Sequence, residues 1–138
     1  MAGYSGTSLH KKLGMKEGHR VALFGEPADF LDLIGPHSET LVISRKPRSG
    51  TFAVIVFFTK SAALLQKALP QLKSKMEPAA GLWIAWPKKA SGVKTDVTED
   101  TVRAFGLAAG LVDNKVCAID ETWSGLRLVI RVKDRSRI

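Results

Sequence analysis

The stretch "TFAVIVFFT", residues 51–59, is β-prone along its length and apolar at successive positions. Side chains of a strand alternate between its two faces. A strand that is apolar on both faces belongs in the centre of a sheet covered from both sides.

The flanking sequence supports such a sheet. Upstream, "HRVALFG" (19–25) reads as a short strand closed by a glycine. "PADFLDLIG" reads as a helix with Pro27 at its first position and Gly35 at its end. "TLVISRK" (40–46) is a second strand, followed by the turn "PRSG". Before all of these, "GTSLHKKLGMKEG" is a short helix that Thr7 or Ser8 can cap and Gly14 can stop. Downstream, "SAALLQKALPQLKSKM" is a helix with Leu64, Leu65, Ala68, Leu69, Leu72 and Met76 on its apolar stripe. Pro70 lies inside it and is expected to kink it, because proline removes a donor and crowds the preceding turn.

"GLWIAW" (81–86) is the fourth strand. Residues three apart in a strand point to opposite faces, so Trp83 shares a face with Ala85 and Trp86 with Ile84. The two indoles therefore anchor different layers. In "TDVTEDTVRAFGLAAG", Asp96 and Glu99 have capping-box spacing and Asp100 sits in the first turn of a helix. "KVCAID" (115–120) and "LRLVIRV" (126–132) are joined by "ETWSG", which suits a hairpin and makes one strand antiparallel.

Strands alternating with helices in this way predict a three-layer, Rossmann-like α/β fold. The expected sheet is mostly parallel, of about six strands, with helices on both faces and an antiparallel C-terminal hairpin. The 138 residues fit a single domain: an N-terminal helical segment at 1–18, sheet and helices at 19–132, and a basic tail at 133–138.

Composition narrows the function classes. A single cysteine, Cys117, excludes an internal disulfide framework and a cysteine-based zinc cluster. Its place in a strand suits a buried structural thiol. The first residues have no apolar segment of the signal-peptide kind. The apolar run "FAVIVFF" falls far short of the roughly 20 residues that cross a bilayer. A reducing cytoplasm and no membrane partner are the expectation. The net charge of +8 invites an anionic partner. The cations, however, are scattered over several segments, and residues 21–42 carry four acids and no Lys or Arg. A solvated surface is favoured over a dedicated nucleic-acid interface.

Ligands of open α/β sheets bind beyond the carboxyl ends of the strands. After the first strand, "FGEPADF" has one glycine, a proline that lacks a donor, and two acids, which disfavours a phosphate and leaves room for a cationic centre. The second strand ends in Ser44, Arg45 and Lys46, where adenosine-binding sheets usually place an acid. Thr59 and Ser61 after the third strand suit helix capping. After the fourth, "WPKKASGVKTD" gathers Lys88, Lys89, Ser91, Gly92 and Thr95 before a helix start, with Trp86 the last strand residue. Cations, hydroxyls and a flexible backbone make these six residues the candidate anion or ligand site. An exposed turn explains them equally well. Asp120, Glu121 and Trp123 cluster in the final hairpin, where they suit a cationic group or a solvated turn. His10, His19 and His37 fall in separate segments without metal-ligand spacing, and no catalytic constellation is legible.

The segments "GYSGTSLHKKLG", "GLWIAWPKKASG", "TEDTVR" and "VDNKVCAIDETWSGLRLVIR" resemble a family of short bacterial proteins known only as a domain of unknown function. That resemblance implies no activity. The layout also resembles the Rossmann-like S-adenosylmethionine-dependent methyltransferases, with "LLQKALPQLKSKMEPAAGLWIAW" similar to the helix, loop and strand of their second half. The resemblance implies a glycine-rich loop after the first strand and an acid after the second, and this chain departs from both. The expectation is therefore a non-catalytic domain on a methyltransferase-like scaffold, binding a small anionic ligand or a protein partner. The alternatives are a diverged methyltransferase using S-adenosylmethionine, and a nucleic-acid-binding module.

Overall fold

The computed structural model describes residues 8–137. Among them, six strands form one sheet: β1 (Arg20–Phe24), β2 (Val42–Arg45), β3 (Phe52–Phe58), β4 (Met76–Pro87), β5 (Leu111–Ala118) and β6 (Trp123–Ile130). Their spatial order is β2-β1-β3-β4-β6-β5. The pairs β1/β2, β1/β3 and β3/β4 are parallel, while β6 runs antiparallel to both of its neighbours. The sheet is thus parallel across four strands and mixed as a whole.

Two apolar layers sandwich it. On one face, Leu65, Leu69 and Leu72 of α3 (Ala62–Ser74) and Val102 of α4 (Glu99–Ala108) pack on Ile55, Leu82, Ile84 and Trp86. On the other, Leu13, just beyond α1 (Leu9–Lys12), and Phe30 and Ile34 of α2 (Phe30–Ile34) pack with Leu23, Val54, Val56, Trp83 and Ala85. The two tryptophans of β4 therefore sit in opposite layers, as the strand period requires. Trp83 is fully buried, and its indole N–H donates to the Leu13 carbonyl at 3.0 Å. That bond ties the N-terminal segment to the centre of the sheet.

Several element ends differ from the sequence reading. Pro27 lies outside α2: the Phe30 N–H donates to its carbonyl, so residues 27–29 form a turn ahead of the helix. Helix α4 is capped by Thr98, which accepts from the Thr101 N–H at 3.2 Å. Asp96 serves another helix, accepting from the Ala62 N–H at the start of α3 at 2.8 Å. Pro70 lies within α3 without ending it. Gln66, whose carbonyl loses its partner there, is exposed, so water can serve it. Gly110, at φ 85, stops α4 and lets β5 begin at Leu111, earlier than expected. The β5–β6 connection shrinks because one Asp120 oxygen accepts the N–H groups of Thr122 and Trp123, at 2.8 and 2.7 Å. This turn places Trp123 in the strand instead of the loop.

Away from these strand ends, His10 of α1 stacks on His37 with ring centroids 3.7 Å apart. His10 is buried, and burial, then His37, then Lys11, lower its pKa below the ordinary 6.5. Its neutral form belongs to the fold, so stability is present above the unfolded-state pKa and falls as acid protonates the unfolded chain first. Urea unfolding should show stability declining as pH drops below 6.5, and His10→Gln should flatten that decline. Trp83→Phe should cost about 1–3 kcal/mol in the same measurement, because it orphans the buried Leu13 carbonyl.

Candidate functional site

Chain direction marks where a ligand belongs. From β1 the chain passes to β2 on one side, then crosses to β3 on the other. The carboxyl ends of β1 and β3 therefore diverge into loops on opposite sides, the switch point of an open α/β sheet. A cleft of about 400 Å³ lies there, lined by Gly25, Pro27, Phe58, Thr59, Lys60, Ser61, Leu64 and Trp123. That volume lies within the range of small-molecule sites.

Each side of the cleft has a local cause. Gly25 turns the chain out of β1 at φ 69, and a Cβ there would stand 2.9 Å from the Phe58 carbonyl oxygen. Only glycine lets the first loop lie this close to the end of β3. Phe58 is held edge-on between Phe30 and Trp123, at centroid separations of 5.2 and 5.1 Å. Trp123 reaches the cleft because β6 runs antiparallel and starts beside Pro87 at the end of β4. Leu64, 61% exposed, and Lys60 form the outer rim.

The start of α3 is largely satisfied from within. Ser61 Oγ accepts from the Leu64 N–H at 3.2 Å, and the Asp96 carboxylate accepts from Ala62. A negative charge already complements that helix end. Beside the cleft, Glu26 of the first loop pairs with Arg45 at the end of β2, Nε to Oε2 at 3.1 Å. The Glu26 side chain is 13% exposed and that of Arg45 63%. Arg45 stands where adenosine-binding sheets carry an acid, and it holds a carboxylate at that edge.

The six residues picked from sequence lie nearby in two environments. Trp86 is buried in the α3/α4 layer. Lys88 donates its N–H to the Thr122 carbonyl, which joins this loop to the Trp123 hairpin. Ser91 Oγ donates to the Lys88 carbonyl at 2.7 Å and accepts from Val93 at 3.1 Å. Gly92 is left-handed at φ 76 and ends the short turn Lys89–Ser91. Thr95 donates its hydroxyl to the Lys60 carbonyl at 2.8 Å and accepts from Val97 at 3.0 Å. The loop is thus laced to the β3 loop and to the hairpin, with Lys88 and Lys89 at its start. Sequence does not single out Phe58, and Leu64, expected on the apolar stripe of its helix, is exposed at the cleft rim while Leu65, Leu69 and Leu72 are buried. The available signal was positional, since Phe58 is the last residue of the central strand and Leu64 an apolar residue on the first turn of α3.

The chain matches an S-adenosylmethionine-dependent methyltransferase from Aquifex aeolicus with a TM-score of 0.60 and 18% identity, over 87% of each chain. It matches magnesium protoporphyrin IX methyltransferase from Synechocystis PCC 6803 with bound S-adenosylmethionine at a TM-score of 0.61 and 8% identity, over 83% of this chain and 71% of that one. A methyltransferase from Pyrococcus furiosus follows at a TM-score of 0.56 and 10% identity, over 87% and 78%. The fold is the methyltransferase fold. At these identities the likeness carries the fold alone. No family model matches the chain, and no curated protein does, so the resemblance to a short bacterial family finds no support there. The fold finding does correct the expectation of a non-catalytic binding domain: the scaffold is shared with methyltransferases, which favours the methyltransferase alternative. No helix among the described residues is long and apolar enough to cross a membrane.

The Gly25 contact gives a direct check on the cleft. Gly25→Ala should cost about 1–3 kcal/mol in urea unfolding, from a strained positive φ and from the clash with the Phe58 carbonyl.

Proposed function

We propose that the chain is a diverged S-adenosylmethionine-dependent methyltransferase that binds its cofactor in the cleft between β1 and β3. The observation that carries this reading is the position and chemistry of the cleft: the switch point of a methyltransferase fold, walled by Phe58 and Trp123.

The departures in the two loops are compatible with that cofactor. The first loop has one glycine where the methyltransferase resemblance implies several, and β2 ends in Arg45 where it implies an acid, so other groups would take those parts. S-adenosylmethionine has no phosphate and carries a positive sulfonium. A first loop with one essential glycine and two acids suits such a ligand better than a dinucleotide. The residues present fit the group in this sense. Glu26, steadied by Arg45, would accept the ribose hydroxyls, a role an acid after β2 otherwise fills. Trp123 and Phe58 offer aromatic surface to the adenine or to the cationic centre. Lys60 would meet the carboxylate of the amino-acid end.

When bound, the cofactor supplies an electrophilic methyl group on sulfur. The chain's own part is to orient the reactants and shut out water. Among the described residues, the cleft lining includes no His, Cys, Asp or Glu. The loop carrying Lys88, Lys89, Ser91, Gly92 and Thr95, bonded to Lys60 and to the Trp123 hairpin, would form the acceptor side and meet an acidic group there.

Calorimetry with S-adenosylhomocysteine tests the proposal. Wild type should bind, and Trp123→Ala should weaken binding by about 1–3 kcal/mol, the usual worth of an aromatic stack on a base. Glu26→Gln should weaken it while leaving the melting temperature near wild type. No heat from wild type at millimolar ligand would sink the reading.

A further inference from the structure

A second cavity lies on the sheet face that α1 covers. It measures about 170 Å³ and is lined by Lys11, Lys12, Gly14, Asn114, Lys115 and Arg127. Strand register explains how the cations converge. Arg127 of β6 is paired with Trp83 of β4 on one side and with Lys115 of β5 on the other. Residues directly opposite in adjacent strands share a face, so Arg127 and Lys115 stand on the Trp83 side of the sheet. The Trp83 bond to the Leu13 carbonyl holds α1 over that face, bringing Lys11 and Lys12 to the same cavity.

This arrangement works against the stability of the fold. Like charges directly opposite across a strand pair repel. The Arg127 guanidinium is also half-buried, lying against Gly81, where a Cβ would run into it. Two other arginines are compensated by acids: Arg103 meets Glu99, Asp100 and Asp113, and Arg45 meets Glu26. Among the described residues the Arg127 guanidinium has neither ion pair nor hydrogen bond, and the cavity lining contains no acid. Burial, and then Arg135, disfavour its charged form. A half-buried guanidinium fork, with ammonium groups beside it and an amide from Asn114, matches the oxygens of a phosphate.

We infer that the Lys11–Lys115–Arg127 cavity is a binding site for phosphate groups. The phosphate belongs either to a small phosphorylated molecule or to the backbone of a nucleic acid. The site is independent of the cofactor reading. Arg127 lies four positions along β6 from Trp123, about 13 Å of strand. A ligand anchored by its phosphate at Arg127 can therefore extend along β6 to the cleft, and that last step rests on the methyltransferase reading.

The test uses two anions and two variants at low salt. Tripolyphosphate is titrated calorimetrically, and a fluorescein-labelled single-stranded RNA is followed by anisotropy. Wild type should bind tripolyphosphate, and Arg127→Gln should lower the affinity about tenfold or more, as expected for losing charge-assisted hydrogen bonds. The exposed pair Lys11→Gln/Lys115→Gln should do the same with an unchanged melting temperature, which guards against misfolding of the Arg127 variant. If RNA also binds, is displaced by tripolyphosphate, and loses about one unit of salt slope per cation removed, the phosphate comes from a nucleic acid. If only tripolyphosphate binds, it comes from a small molecule. Wild type binding neither anion, or both variants binding like wild type, would overturn the inference. Binding of S-adenosylhomocysteine should be unaffected in either variant. A wild type that binds tripolyphosphate but not S-adenosylhomocysteine would remove the methyltransferase reading and leave this one standing.

Discussion

Burial of β3 on both faces is the constraint on which the rest depends. Ile55 faces α3 and α4, while Val54, Val56 and Phe58 face the layer of α1 and α2. Such a strand is stable only with a neighbour on each edge and a helix layer on each face. β1 and β4 supply the edges, and the crossing from β2 over β1 to β3 creates the switch point. The last residue of the same strand, Phe58, forms a wall of the cleft. Its carbonyl sets how near the first loop can approach, which is why Gly25 admits no side chain. Fold and site are two consequences of one buried strand.

The fold was legible because its signals are local. The apolar run at 51–59, the stripe in "SAALLQKALPQLKSKM" and the period that separates Trp83 from Trp86 each depend on residues close in sequence. Errors arose where a short-range motif competed with a distant partner. Asp96 has capping-box spacing with Glu99, yet it binds Ala62, 34 residues away, and leaves α4 to Thr98. Trp123 reads as a loop residue until the Asp120 turn shortens the hairpin by its own hydrogen bonds.

The site was less legible, for the same reason. The loop 87–95 stood out because its cations and hydroxyls are contiguous. The folded chain uses the Ser91 and Thr95 hydroxyls to fasten that loop to itself and to Lys60. The cleft is assembled from three separate segments, and the Glu26–Arg45 pair joins the ends of two strands. None of that has a sequence spacing. The cation cluster around Arg127 was hidden likewise: Lys11, Lys115 and Arg127 are scattered in sequence, and only strand register and the docking of α1 bring them together.

The central claim is that the cleft between β1 and β3 is where an adenosyl ligand binds. It is tested most directly by following backbone amide resonances while S-adenosylhomocysteine is added. The account predicts saturable shifts concentrated at Gly25, Glu26, Thr59, Lys60 and Trp123, with the Arg127 region unmoved. Shifts centred on any other part of the sheet, or none at millimolar ligand, would contradict it.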